Sequence, residues 1–293
     1  MRPRDLALMV LVCLIWATNN IMSKLIVGTL HVPPLFFTAA RFALVALVTL
    51  PWLLPMPRPS WRILLIGLFM GGGSFGLMFI ALYWVSPSEA AVVVQVSVPI
   101  TALLSIVMLG ERIRWRRALG ITLALLGVLL VMYQPGFRVS AGMGFLLASA
   151  ICGSFGAVMM KQMGDIAPLR FQAWVGLVGL TVTGPLSLLF EPGAFDQAIA
   201  VGWPIVACVL YAGLITSVFA HTAYYLLIAR YEANLVAPLT LMTPLMTIGL
   251  GVWITGDVID TKMIVGSAIA LTGVLIIARR SRSAPLVQAQ EHT

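Results

Sequence analysis

Ten times along this chain, a run of about 20 residues, the length needed to cross hydrocarbon as a helix, passes with almost no ionisable group. The runs cover roughly 6–27, 34–54, 62–84, 89–109, 116–133, 142–161, 168–189, 203–228, 233–255 and 262–279. In lipid every backbone N–H and C=O must be satisfied inside the segment, so such runs form helices. The expected fold is an all-α membrane protein with ten transmembrane helices. Loops between the runs are short and leave no room for a soluble domain. Composition agrees: only 10% of residues are charged, against about 25% in ordinary globular domains, and mean hydropathy is +1.03. In a soluble protein a net charge of +8 would suggest nucleic acid; between apolar runs the arginines are topology signals instead, and no nucleic-acid partner is expected.

The opening MRPRDLALMVLVCLIWATNN has the basic start and apolar middle of a signal peptide. It lacks a small-x-small cleavage site, so it is expected to remain as the first membrane helix. Ten spans put both termini on one side. Arg2, Arg4, Arg58, Arg62, Arg112, Arg114, Arg116, Arg117, Lys161, Arg170, Arg230, Arg279, Arg280 and Arg282 fall on that side, whereas the other holds Lys24, Arg138 and Lys262. Cytoplasmic termini are therefore expected, with residues 281–293 a disordered tail. Cys13, Cys152 and Cys208 sit in apolar runs without metal or redox spacing and read as buried small hydrophobes.

The two halves resemble each other. PLFFTA at 34–39 matches PLRFQA at 168–173, and GITLALLGVLLV at 120–131 matches GSAIALTGVLII at 266–277. Glu89 aligns with Glu232, Pro99 with Pro244, and Gly110-Glu111 with Gly256-Asp257. Five helices per half is an odd number, so the second repeat, 134–280, is expected inverted relative to the first, 1–133. Inverted repeats let two halves exchange roles as a site opens to either face.

On these motifs, the LGERIRWRRALGITLALLGVLL segment (109–130) above all, the chain resembles the EamA-type drug/metabolite transporters, and among them the YddG-type exporters of aromatic and other amino acids. The second half departs from the pattern, with Thr255-Gly256-Asp257 where LGE would stand. The resemblance implies ten helices around a central cavity, with the fifth and tenth peripheral, in a bacterial inner membrane.

Polar groups in lipid are costly unless they face a bundle interior or a water-filled cavity. Polar faces at helical spacing are therefore candidate cavity walls. In the first segment Trp16, Asn19, Asn20 and Ser23 share a face. In the eighth, Gly213, Ser217, His221 and Tyr225 do, with Tyr224 beside them; the third offers Gly71, Phe75, Phe79 and Tyr83. Interhelical hydrogen bonding explains the same pattern without a cavity. His221 is open to two roles, proton site or neutral hydrogen-bonding imidazole. In the fourth, Ala91, Gln95, Val98, Ala102 and Ser105 align, and Pro99 removes a backbone donor, as Pro238 and Pro244 do in the ninth. Such breaks either line a cavity or simply kink the helix. Trp174, near the cytoplasmic end of the seventh, fits a substrate contact or an interfacial belt.

Ionisable residues inside the runs are few. Arg41 lies about 10 Å into the second segment at the usual helical rise. An outer gate is expected from Lys24 or Arg41 with Glu89, and an inner one from Lys161 with Glu232; snorkelling at helix ends is the competing explanation. No carboxylate sits at mid-membrane, which disfavours an electrostatic trap for cationic drugs. Nothing resembles a nucleophile–base pair, a metal-ligand set, a cofactor loop or a Walker motif. The expectation is no enzyme and no cofactor, but a secondary transporter for a small neutral or zwitterionic molecule, able to work as a monomer. An exporter of lipophilic cations is the alternative, and a channel is disfavoured by the inverted repeat.

Overall fold

The computed structural model describes residues 1–110, 115–132, 140–163, 166–231 and 236–278. The described residues form helices and no strand. Seven helices are long and apolar enough to cross a membrane: α1 (Pro3–Thr29), α2 (Pro34–Trp52), α3 (Ser60–Ala81), α4 (Pro87–Leu109), α6 (Ala141–Met160), α7 (Pro168–Phe190) and α8 (Trp203–Tyr224, its last turns running on to Arg230). Three shorter apolar helices are α5 (Ala118–Val131), α9 (Leu239–Thr255) and α10 (Thr261–Ile276). Between α7 and α8 lies a short helix the sequence reading did not anticipate, Ala194–Val201, bracketed by Gly193 and Gly202 at φ 77° and 75°. Glycine alone adopts such angles without steric cost.

Starts are written locally. Pro3, Pro34, Pro87 and Pro168 each stand in the first turn of a helix, where the missing N–H costs nothing. Asp260 accepts the Met263 N–H at 2.7 Å ahead of α10. That bond holds its carboxyl below the ordinary carboxylate range. The outer surface is apolar: Val107, Leu188 and Trp253 are each more than four-fifths exposed, as suits lipid rather than water.

The helices pair closely. α5 lies along α10 and α2 along α7; α3 packs on α6 and α7, α8 on α1 and α2, α4 on α6, and α9 on α1. Without a hydrophobic drive between helices in lipid, close backbone approach through small residues supplies the packing. At Gly127 a Cβ would sit 2.6 Å from the Gly266 carbonyl oxygen, and at Gly273 one would sit 2.6 Å from that of Gly120. The α5–α10 seam therefore tolerates no side chain at these points.

Four helices depart from α-geometry where they border the interior. α3 is wound as a π-helix over Gly67–Phe75 and α8 over Tyr211–Ala220. α4 tightens to 3-10 geometry at Val94–Val96, just ahead of Pro99, and α9 opens with 3-10 turns at Ala237–Leu241, just ahead of Pro244. Proline supplies no N–H to the carbonyl four residues back, and the winding adjusts there.

Candidate functional site

These irregular segments surround a central cavity of about 260 Å³. α1 contributes Trp16, Asn19 and Asn20; α2 Arg41; α3 Phe75, Met78 and Leu82; α4 Ala90, Ala91, Val94 and Gln95; α8 Thr216 and His221; and the start of α9 Thr240, Thr243 and Pro244. Among the described residues, none of the lining comes from α5 or α10.

The π-wound stretch of α8 prepares one wall. Ser217 Oγ donates to the Ala212 carbonyl at 2.7 Å, and His221 Nδ1 stands 2.7 Å from the Thr216 carbonyl, both five residues back. A carbonyl only accepts, so Nδ1 carries the hydrogen and Nε2 of the neutral ring is left as an acceptor. Trp16 packs against this imidazole at 5.3 Å between ring centres and edge-on against Tyr224 at 5.1 Å. Asn20 Nδ2 donates to Thr247 Oγ1 at 3.4 Å, while Asn19 is buried and its carbonyl accepts from Ser23 Oγ.

Arg41 is the charged side chain of the lining. It is 1% exposed and is among the largest fully buried side chains. Its Nε donates to Ser217 Oγ at 2.9 Å. The guanidinium carbon lies 4.5 Å from the Phe75 ring centre, with Phe79 and Phe42 at 5.7 and 5.9 Å. Aromatic faces attract such a cation, and guanidinium is the cation best suited to stacking. Its Nη1, however, is buried without a hydrogen-bond partner.

Of the residues singled out from sequence, Trp16, Asn19, Asn20, Phe75, Ala91, Gln95, His221 and Pro244 line the cavity, and so does Arg41, which the sequence placed at an outer gate. Ser217 and Phe79 stand behind the wall and hold Arg41. Tyr224 backs Trp16. Pro99 is buried one turn beyond Gln95. Tyr83 is partly exposed beside Trp84. Trp174 donates from Nε1 to the Leu53 carbonyl at 3.0 Å and packs in a separate apolar cluster with Phe42 and Ile63.

Lys24 donates from Nζ to the Leu82 carbonyl at 2.7 Å. Glu89 is engaged locally: its Oε2 accepts the Ser86 N–H, and Ser86 Oγ accepts the Glu89 N–H, a reciprocal cap on α4. Glu232 and the side chains of Lys161 and Tyr225 lie outside the described residues. Two acids to which the sequence assigned no bonding role hold helix ends. Glu191 accepts the N–H groups of Leu35 and Phe36 at 2.9 and 2.7 Å, capping α2. Asp257 accepts from the Ser88 N–H and hydroxyl, tying the end of α9 to the start of α4.

Six helices thus wall the cavity, four of them irregular where they border it. The profile of the EamA-like transporter family fits residues 5–133 and again 140–279. The chain belongs to the EamA-like transporter family. It is a multi-pass membrane transporter, and three of its relatives are named as efflux pumps or exporters. A probable amino-acid metabolite efflux pump of Salmonella typhimurium is 26% identical, covering 94% of this chain and 95% of its own. The Escherichia coli protein of the same description is also 26% identical with the same coverage. A probable terminal-alkyne amino-acid exporter of Streptantibioticus cattleyicolor is 24% identical over 93% of both chains. A solved crystal structure superposes with a TM-score of 0.66 at 22% identity, covering 97% of this chain and all of its own, which establishes that the fold is shared. Within this EamA-like fold, Met78, Leu82, Ala90 and Val94 line the cavity although nothing in the sequence marked them; small and apolar residues carry no polar signature.

Proposed function

We propose that this EamA-like protein is a secondary transporter that exports neutral or zwitterionic amino acids, or similar small metabolites, across the bacterial inner membrane by alternating access. The observation that carries this is the cavity itself: small, lined by apolar and aromatic side chains with amides and hydroxyls among them, and, among the described residues, by no acid. At about 260 Å³ it sits just under the usual range of ligand pockets, about 300–1,000 Å³, a size for metabolites rather than drug-scale molecules. The names of the relatives support an amino-acid substrate.

Ten spans in two inverted repeats, 1–133 and 134–280, with both termini cytoplasmic, complete the proposal. The double family match supports it, and so does the packing. Exchanging the first five helices with the last five maps α3–α6 onto α8–α1, α3–α7 onto α8–α2, and α4–α6 onto α9–α1, while α2–α7 and α5–α10 map onto themselves. The π-wound pair α3 and α8 and the 3-10-wound pair α4 and α9 exchange as well. Paired repeats of this kind rock about a fixed central site, and a single copy contains the whole cavity. Export of lipophilic cations fits less well, because the charged lining residue is itself a cation.

Reconstituted vesicles test the assignment. Labelled phenylalanine and threonine are expected to show saturable counterflow, whereas a quaternary ammonium ion is not. Transport of the cation alone would reverse the assignment.

A further inference from the structure

Arg41 poses an unanswered charge. Buried ions are ordinarily paired, because an uncompensated charge in a dry interior is very costly. Among the described residues, no carboxylate reaches it. Asp5 bonds Tyr231 and Arg230, Glu89 caps α4, Glu191 caps α2, Asp257 holds Ser88, and Asp260 caps α10. The phenyl rings and one hydroxyl hold the guanidinium in place without neutralising it.

Two further observations point the same way. Trp16 Nε1 and Thr216 Oγ1 are also buried without a hydrogen-bond partner, and both residues line the same cavity as Arg41. Guanidinium and indole nitrogens can only donate, and a hydroxyl can donate. The cavity wall thus gathers unspent donors around one positive charge, which calls for a partner that only accepts and carries negative charge. An ionised carboxylate is that partner. For an ammonium group the described lining residues offer no acid, only the neutral side-chain oxygens of residues such as Asn20 and Gln95.

We infer that Arg41 is the carboxylate receptor of the cavity, and that the transported class is small monocarboxylates with an apolar side chain, in which the amino group is optional. This rests on the transporter assignment above but asks a separate question of it. Recognition turns on the acid, so removing the amine costs little and neutralising the acid costs much.

The test measures stabilisation of the purified full-length protein in detergent by three matched sets: phenylalanine, leucine and threonine, each against its carboxamide and its deaminated acid. A ligand of the native state raises the melting temperature in proportion to occupancy. Acids, with or without the amine, are expected to bind roughly ten- to a hundredfold more tightly than the amides, the range for a charge-assisted hydrogen bond in a buried site. Arg41→Gln erases that preference, and Arg41→Lys, which keeps the charge but not the planar fork, retains part of it. Should Arg41→Gln not fold, the wild-type comparison and Arg41→Lys decide. Equal binding of acid and amide by the wild type, or an acid preference that survives Arg41→Gln, overturns the inference. Counterflow of phenylalanine separates the two claims. If acids bind through Arg41 but no amino acid is transported, the amino-acid assignment falls and the receptor stands. If phenylalanine and its amide are transported alike, the receptor falls and the transporter stands.

Discussion

At the scale of single residues, the centre of this protein is organised around one cation. Ser217 shows how little holds it. Its hydroxyl accepts from Arg41 Nε and passes its own hydrogen to the Ala212 carbonyl. Ser217→Ala removes that acceptor and leaves a second donor on the guanidinium unsatisfied, so a stability loss of about 1–3 kcal/mol is expected. Thermal or denaturant unfolding in detergent measures it; an unchanged midpoint would mean that Arg41 does not depend on this bond. Sequence periodicity found Trp16, Asn19, Asn20, Gln95 and His221 because polar side chains on an apolar helix stand out. Arg41 was visible too, but its partners were not. Its depth, counted from the helix start, suggested an outer gate, whereas Phe75 and Ser217 draw the guanidinium to the cavity wall from two other helices. Tertiary neighbours of that kind leave no trace in local spacing.

Among the elements, the contrast lies between smooth and broken helices. α5 and α10 are uninterrupted and meet at a glycine seam; α3, α4, α8 and α9 carry π or 3-10 windings and border the cavity. Gly127→Ala pushes a methyl into the Gly266 carbonyl, and overpacking of this kind is expected to cost about 1–3 kcal/mol. Gly249→Ala is the matched control. It lies in α9 with nothing within 4 Å of the added Cβ, and replacing a helical glycine with alanine is expected to stabilise by up to about 1 kcal/mol. If both variants unfold alike, the seam is not what the packing distances imply. The segments that become seven long and three shorter apolar helices were legible from hydropathy, and so were the prolines at their starts and breaks. The π-windings were not, since α- and π-geometry draw on the same residues and differ only in which carbonyl each N–H finds.

For the whole molecule, the α2–α7 and α5–α10 pairings are among the most extensive between helices, and under the proposed repeat they are the two seams that map onto themselves. The proposed orientation in the membrane rests on the arginines and is testable apart from transport. The native cysteines lie in helices and Cys13 and Cys208 are buried, which leaves little background for a membrane-impermeant thiol reagent. Arg58→Cys is expected to label only from the cytoplasmic side and Asp196→Cys only from the opposite side. The reverse pattern would turn the protein over in the bilayer.

The π-wound stretch of α8 has one more consequence. A π turn holds a residue more than the α turn it replaces, and losing a single residue from Tyr211–Ala220 would allow ordinary winding to return. Each residue of an α-helix advances about 100° around its axis. One codon deleted there would swing Thr216 and the Ser217 grip on Arg41 out of register with His221. Length, and not only side-chain identity, is thus a heritable dial on what this cavity admits.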